Sequence, residues 1–327
     1  MVDLSIIIVN WNTKEYLLPC LKSIFRGGGV TGWEIIVTDN SSTDGSGDEI
    51  RKTFPSVQVI ENDKNLGFSK AMNQGLQKAS GRYALLLNPD TRVKNGAIEQ
   101  LVSFMDGCPN AGAAGMQLLN SDGSKQNSIA NFPSLATELL NKRLLRWLFP
   151  KKFPGKERNY SKPVEVDSVI GACMMVRRVA LEQVGLLDED YFLFLEETDW
   201  CYRMKRAGWK IYHVPQAEVY HLQGKSAETQ KKKAKVEYYR SRYHFFKKNR
   251  GPLQHFLLVG GLTIRLIFEL LMITVASVIT FFVVKGCRRK LSLYSYLFWW
   301  HLRLCPEGMG LKNETPNSRH QTTNKSR

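Results

Sequence analysis

Two hydrophobic rhythms alternate through the first 220 residues. Leu4-Ser-Ile-Ile-Ile-Val9 is a nearly continuous β-branched run ending in Asn10-Trp-Asn12, the pattern of a strand buried on both faces and followed by a polar turn. Leu17, Leu18, Leu21 and Ile24 then recur at helical spacing, and Gly27-Gly-Gly29 predicts the end of that helix. A second strand, Trp33 to Thr38, runs into Asp39-Asn-Ser-Ser-Thr-Asp44, whose side chains are good helix starters. Val57 to Glu61 predicts a third strand, and Asn65-Leu-Gly-Phe68 opens a helix carrying Lys70, Asn73 and Gln74. Tyr83 to Leu87 is a fourth strand, ending at Asn88-Pro-Asp90. Strands and helices joined by short connections predict an α/β domain with a parallel, doubly wound sheet, whose ligands bind beyond the carboxyl ends of the strands.

A helix over 95–107, a strand over 113–118, a short helix over 179–184, a helix over 198–207 and strands over 210–214 and 219–221 complete this domain. The Pro-, Gly- and Lys-rich stretch 120–164 shows no clear period, and long excursions of this kind are often functional loops. From Phe256 to Val284 the chain is apolar apart from Arg265 and Glu269, which stand four apart and can pair on one helix face. That length permits a membrane span. Lys285, Arg288, Arg289 and Lys290 follow it, however, so both flanks are basic, which favours a re-entrant or in-plane helix pair over a single crossing; an ordinary buried hairpin is the other reading. Leu291 to Leu304, with Tyr294, Tyr296, Phe298, Trp299 and Trp300, reads as an interfacial aromatic helix. The chain thus divides into an α/β domain over 1–225, a basic amphipathic linker or helix over 226–251, hydrophobic membrane-associated helices over 252–304 and a disordered polar tail over 305–327.

Composition changes this picture in two respects. The net charge of +16 is concentrated: ten basic residues face two acidic ones between Lys225 and Arg250, which suits an anionic membrane surface. Tyr238, Tyr239, Tyr243, Phe245 and Phe246 are interleaved with these charges, but a nucleic-acid partner is not expected. The six cysteines have no metal-finger or disulfide spacing and read as reduced, cytosolic thiols.

The chemistry is concentrated in Asp188 to Arg203, where the apolar run Tyr191-Phe-Leu-Phe-Leu195 precedes Glu196, Glu197 and Asp199. Carboxylates in the first turn of a helix are favoured by its dipole, and acidic capping alone explains one or two of them. The chain has no Gly-x-Gly-x-x-Gly after its first strand and no Gly-Lys-Ser/Thr, so neither a dinucleotide fold nor a P-loop is signalled.

Taken in order, Ser5 to Asn12, Val37 to Gly45, Asn65 to Phe68 with Asn73, Leu87 to Asp90, Gly171-Ala172 and Glu196 to Arg203 with His221 resemble glycosyltransferase family 2, and more narrowly its rhamnosyltransferase-like branch. The resemblance covers about residues 3–225. It implies a GT-A fold and inverting transfer of a sugar, rhamnose from a dTDP donor being one case, from a nucleotide sugar to a glycan or lipid-linked acceptor. Mg²⁺ or Mn²⁺ would assist, and the site of action would be the cytoplasmic face of the cell membrane. Carried over residue by residue, Asp39 would recognise the base and Asn10, Trp11 and Asn12 would line its pocket. Asn65, Gly67, Lys70 and Asn73 would approach ribose and diphosphate, and Gly171 and Ala172 would lie along the donor. Asn88-Pro-Asp90 occupies the family's Asp-x-Asp position with its first Asp replaced, so Asp90, with His221, is the expected metal ligand. An inverting transfer needs one base for the acceptor hydroxyl; Glu197 is the leading candidate, with Glu196 and Asp199 as alternatives. A non-catalytic scaffold that binds a nucleotide sugar is the competing reading, and Asn88 is its one encouragement.

Overall fold

The protein is described by a computed structural model covering residues 2–26, 32–149, 160–222 and 230–311. Its central sheet runs in the order β3 (Gln58–Glu61), β2 (Trp33–Asp39), β1 (Leu4–Asn10), β4 (Tyr83–Leu87), β10 (Cys173–Arg177), β6 (Ala111–Leu119), β11 (Lys210–His221) and β5 (Thr91–Val93). β8 (Val164–Val166) pairs with β11, while β7 (Ile129–Ala130) and β9 (Ser168–Val169) form a separate two-stranded ribbon. Strands β1 to β4 are parallel neighbours, with Ile7 level with Ile36 on one side and Leu86 on the other.

The sheet as a whole is mixed, not parallel throughout as the strand–helix rhythm suggests. β10 lies antiparallel between β4 and β6, and β5 runs antiparallel to β11. Apolar runs fix burial on both faces but carry no information on strand direction. The two strands expected over 210–214 and 219–221 are one strand, β11, with a register shift between Val214 and Glu218.

Continuous apolar strands are explained by what covers them. Ile6 and Ile8 face one layer with Leu17 and Leu21 of α1 (Lys14–Arg26) and Leu101 and Met105 of α4 (Ala97–Gly107). Ile7 faces the other, with Met72 and Leu76 of α3 (Phe68–Lys78) and Trp200 and Met204 of α8 (Glu196–Arg206). Each such buried side chain contributes on the order of 1.5–3 kcal/mol. Two smaller helices, α2 (Ser46–Thr53) and α7 (Arg178–Val184), complete the layers. The stretch 120–164, left unassigned above, contains α5 (Leu135–Leu139), started by a Ser134–Thr137 capping box, and α6 (Lys142–Leu148), capped by Asn141.

The basic segment read as an amphipathic linker or helix contains the helix α9 (Lys231–Asn249), much of it buried. Val236, Tyr239, Tyr243, Phe245 and Phe246 pack with Leu258, Leu262 and Leu266 of α10 (Pro252–Ile279) and with Leu297 and Trp300 of α11 (Lys285–Leu302). Several of its basic residues point inward. Arg242 pairs with Glu138 at 2.9 Å and lies against the rings of Tyr238 and Tyr239, and Lys248 reaches Asp188 and Asp199 at 2.6 and 2.9 Å. Charge density in the sequence therefore overstates the basic surface of this segment.

α10 and α11 form an antiparallel pair joined at Thr280–Val284, where Phe281 and Phe282 adopt positive φ. α10 is long and apolar enough to cross a membrane. It buries one seam, Leu258, Leu262 and Leu266, and exposes Phe256, Ile264, Phe268, Leu271 and Ile279, so it is not the ordinary buried hairpin. Arg265 and Glu269 pair at 2.8 Å as their spacing predicts.

Part of the expected tail is folded. Glu307–Met309 is a 3-10 turn and Leu311 is buried; Trp300 Nε1 and Arg240 Nη2 donate to Pro306 O, and Leu311 N donates to Glu237 Oε1. The glycines at 27–29, Lys225 and residues 312–327 lie outside the described residues.

Candidate active site

A cavity of about 610 Å³ opens at the carboxyl ends of β1, β2 and β4. Asn88, Pro89 and Asp90 line it from the end of β4, Gly171 and Ala172 from the approach to β10, and Glu196 and Glu197 from the start of α8. Trp11, Asn65 and His221 also reach it. Residues expected together from five of the six motifs thus share one enclosure, while Asp39 of the sixth does not line it.

The start of α8 is unusual. Its N-cap, Leu195, has φ 64°, and Phe194 before it has φ 73°. Left-handed backbone in two bulky residues costs about 1–3 kcal/mol each and concentrates at functional sites. The turn aims the first residues of α8 at the cavity. Glu196 is buried, and its Oε2 has no hydrogen-bond partner among the described residues. Burial, together with the adjacent Glu197 carboxylate, raises the Glu196 pKa well above the ordinary carboxylate range. Glu197 is half-buried and lies against Gly171, where an added Cβ would stand 3.4 Å from Glu197 Cβ and Cγ. Environment therefore separates two adjacent carboxyls: one buried with its pKa raised, the other left partly open to solvent in the cavity.

At the far end of β11, His221 Nε2 lies 3.5 Å from Asp90 Oδ1, both side chains being buried. Gln126 settles the imidazole tautomer. Its Nε2 donates to the His221 backbone carbonyl at 2.6 Å, which turns its Oε1 to His221 Nδ1 at 3.1 Å. That ring nitrogen must therefore carry a proton, which leaves Nε2 as the nitrogen facing Asp90. An imidazole nitrogen and a carboxylate facing each other in a buried corner, with the second ring nitrogen fixed by an amide, fit a divalent cation. Asp188, Asp190 and His244 also cluster within 4.8 Å, but Lys248 and His244 both bond Asp188 there and the cluster is not on the cavity.

Other expected site residues are placed as supports. Asn10 Nδ2 donates to Asp39 Oδ1 at 2.6 Å, and Asp39 also accepts from Ser42 N. Asn12 holds the loop after β2 by accepting from Thr43 N. Asn73 bonds the Leu187 backbone and Glu189, and Lys70 pairs with Glu189 at 3.8 Å. Gly67 has φ 85°, and a Cβ there would meet Phe192 Cδ2 at 2.6 Å. The Asn65–Phe68 turn is thereby locked to the segment that leads into α8, with Phe68 N donating to Phe192 O.

Asp199, expected among the catalytic carboxylates, does not face the cavity. It is fully buried and held by Arg203 Nε, Lys248 Nζ and Asn249 Nδ2, each at 2.9 Å. Its role is to fasten α8 to α9.

Sequence reasoning passed over Asn40 and Gln126. Asn40 lines the cavity and joins its loops, donating to Asn65 Oδ1 at 2.8 Å and Gly67 O at 3.2 Å while accepting from Leu66 N. Its position directly after Asp39 at a strand end was the available signal. Gln126 sits in the aperiodic stretch and gave none.

A mixed sheet with a β4 end carrying Asp90, a carboxylate pair on α8 and a histidine at the end of β11 defines a GT-A glycosyltransferase. The family model for "Glycosyl transferase family 2" matches residues 5–185, and the chain belongs to that family. It is 29% identical over 251 residues to the N-acetylglucosaminyl-diphospho-decaprenol L-rhamnosyltransferase of Mycobacterium tuberculosis, covering 71% of this chain and 81% of that one. It is also 29% identical over 283 residues to the low-salt glycan biosynthesis hexosyltransferase Agl10 of Haloferax volcanii, covering 82% and 85%. The mannosyltransferase PcManGT from Pyrobaculum calidifontis, solved with GDP-Man and Mn²⁺, shares the fold at TM-score 0.56 and 14% identity, over 92% of this chain and 86% of that one.

Proposed function

We propose that this glycosyltransferase uses a nucleotide-sugar donor and a divalent cation, Mg²⁺ or Mn²⁺, to transfer a deoxyhexose or hexose with inversion onto a lipid-linked glycan at the cytoplasmic face of the membrane. Rhamnose from a dTDP donor is the leading case. The observation that carries this reading is one cavity holding Asp90 with His221 and Glu196 with Glu197. Asp90 and His221 would hold the cation, which when bound neutralises charge on the departing nucleotide diphosphate. Glu197 accepts the acceptor hydroxyl's proton during a single in-line displacement, and Glu196, kept neutral, leaves Glu197 as the one anion at that end. Asn40 and Asn65 hold the donor side of the cavity, with Asp39 braced behind them. The naming of relatives supports the sugar and the acceptor: one is a decaprenol-linked rhamnosyltransferase, and another, the dTDP-rhamnosyl transferase RfbF of Shigella flexneri, is 27% identical over 193 residues, 58% of this chain and 60% of that one. The exposed apolar face of α10 supports the membrane location.

The test is a thermal-shift panel of nucleoside diphosphates and their sugars, with and without Mn²⁺, on the full chain in detergent, since a ligand bound only by the folded state raises its melting temperature. A metal-dependent shift with dTDP and dTDP-rhamnose, followed by transfer with inverted anomeric configuration, is expected. Shifts without any transfer or donor hydrolysis would favour the non-catalytic scaffold, and no shift with any nucleotide would overturn the donor assignment.

A further inference from the structure

The half of the cavity built by α5, α6 and α9 is used by none of the groups above. Of the described residues lining the cavity, Arg146 is the one arginine or lysine. It is half-buried and makes no ion pair or hydrogen bond to any described residue, whereas the nearby acid of this wall, Glu138, is already paired with Arg242. A partly desolvated guanidinium without a counter-ion is a site for an anion, and its planar donors suit phosphate oxygens bidentately.

The helix that carries Arg146 indicates where the anion comes from. Leu144, Trp147 and Leu148 share the opposite face of α6 by their spacing and are 51%, 77% and 50% exposed. α5, which precedes α6, packs against α10, with Leu139 on Gly261, so α6 directly follows a helix anchored on α10, whose outer face is itself apolar and exposed. A cation on the cavity side of a helix whose outer side is apolar fits an amphiphile whose phosphate is inside and whose chain remains in the bilayer.

We infer that Arg146 binds the phosphate of a membrane-held isoprenoid diphosphate acceptor, which enters the cavity across the apolar face of α6. This rests on the proposed lipid-linked acceptor and adds the subsite that receives it. The apolar chain and the anion act together: the chain supplies residence at the surface, and Arg146 fixes the depth at which the acceptor's sugar meets Glu197.

The probe is farnesyl diphosphate, compared with farnesol and inorganic pyrophosphate, titrated into the full chain in neutral detergent with EDTA present so that a cation-dependent donor site does not contribute. Farnesyl diphosphate is expected to bind at least about tenfold tighter than either comparison compound. Arg146→Ala should lose roughly tenfold to a hundredfold of that affinity, the range for a lost charged hydrogen bond, and Arg146→Lys should keep part of it. Trp147→Ser should weaken farnesyl diphosphate while leaving pyrophosphate unchanged. Equal binding of farnesol would reduce the site to an apolar groove, and equal binding of pyrophosphate to a free-anion site; either overturns the inference, as does unchanged affinity in Arg146→Ala. The nucleotide-dependent thermal shift of Arg146→Ala should equal that of the natural protein, and its loss would assign Arg146 to the donor instead. Because that shift is read separately, failure of the acceptor subsite and failure of the donor reading are distinguishable.

Discussion

His221 Nε2 faces Asp90 Oδ1 across 3.5 Å, and the proton on the opposite ring nitrogen is held by Gln126. In the proposed cation site the His221 ring is therefore oriented by Gln126, while Asp90 faces it from the end of β4. Gln126→Ala should lower Mn²⁺ affinity about 10–100-fold, the usual cost of removing the partner that orients a histidine ligand, while His221→Ala should cost at least as much. Calorimetric titration of Mn²⁺ in the presence of the nucleoside diphosphate measures both, and unchanged affinity in Gln126→Ala would show that the tautomer is set otherwise.

Glu197→Gln should retain the nucleotide-induced thermal shift and lose about 10²–10⁴-fold in turnover, the contribution of a positioned general base. Gly171→Ala should reduce turnover more than stability, because its new methyl presses on Glu197 Cβ and Cγ at 3.4 Å. Single-turnover transfer assays check both; full activity in Glu197→Gln would move the base elsewhere.

Glu196 gives a signed pH dependence. Its folded-state pKa is raised by burial and by Glu197, so the folded protein keeps this proton to higher pH than the unfolded chain does. Between the ordinary carboxylate range and the raised value, stability therefore falls as pH rises. Glu196→Gln should remove that slope, matching the natural protein near pH 4 and melting above it at neutral pH, by roughly 2–4 °C for each kcal/mol relieved. Melting curves across pH 4–8 decide it; parallel curves for the two proteins would contradict the protonated state.

Asp199 is predicted to matter for folding. Removing one partner from a buried ionic cluster costs up to about 3–5 kcal/mol; Asp199→Ala takes the carboxylate from Arg203 and leaves Lys248 only Asp188, so a loss toward the lower end of that range should show in urea unfolding. Asp199→Asn, which keeps an acceptor for Asn249, should cost less. Asp188, in the same cluster, is held below the ordinary carboxylate range by His244 and then by Lys248. Its share of stability is complete above that range and is lost as pH falls from it through the lowered folded-state value.

The parts of this molecule legible in the sequence were those written in short-range pattern. Ile6, Ile7 and Ile8 announce a strand covered on both faces, and Asp90 and Glu197 announce chemistry by following apolar runs at element ends. Strand direction was not legible, because Met174 and Met175 of β10 read the same in either orientation while pairing antiparallel with β4. Asp199 and Glu197 lie two residues apart in one acidic turn, yet helical geometry sends one into a cluster under α9 and the other into the cavity. The wall containing Thr137, Glu138 and Arg146 was hidden because two helices of five and seven residues are too short to establish a period. Pro306 to Leu311 was hidden because its anchoring depends on Arg240 and Glu237 of α9, which lie far off in sequence.

That last contact has a consequence for biosynthesis. Leu311 lines the cavity and is tied through its backbone to Glu237, so the reaction chamber is completed by a residue translated more than a hundred positions after Glu197. Domains assemble from the amino end as synthesis proceeds at about 5–20 residues per second. A nascent chain thus carries its donor-side sheet for several seconds with one wall missing and the apolar surface of α9 uncovered. During that interval the cavity stands open on the side that Leu311 later closes.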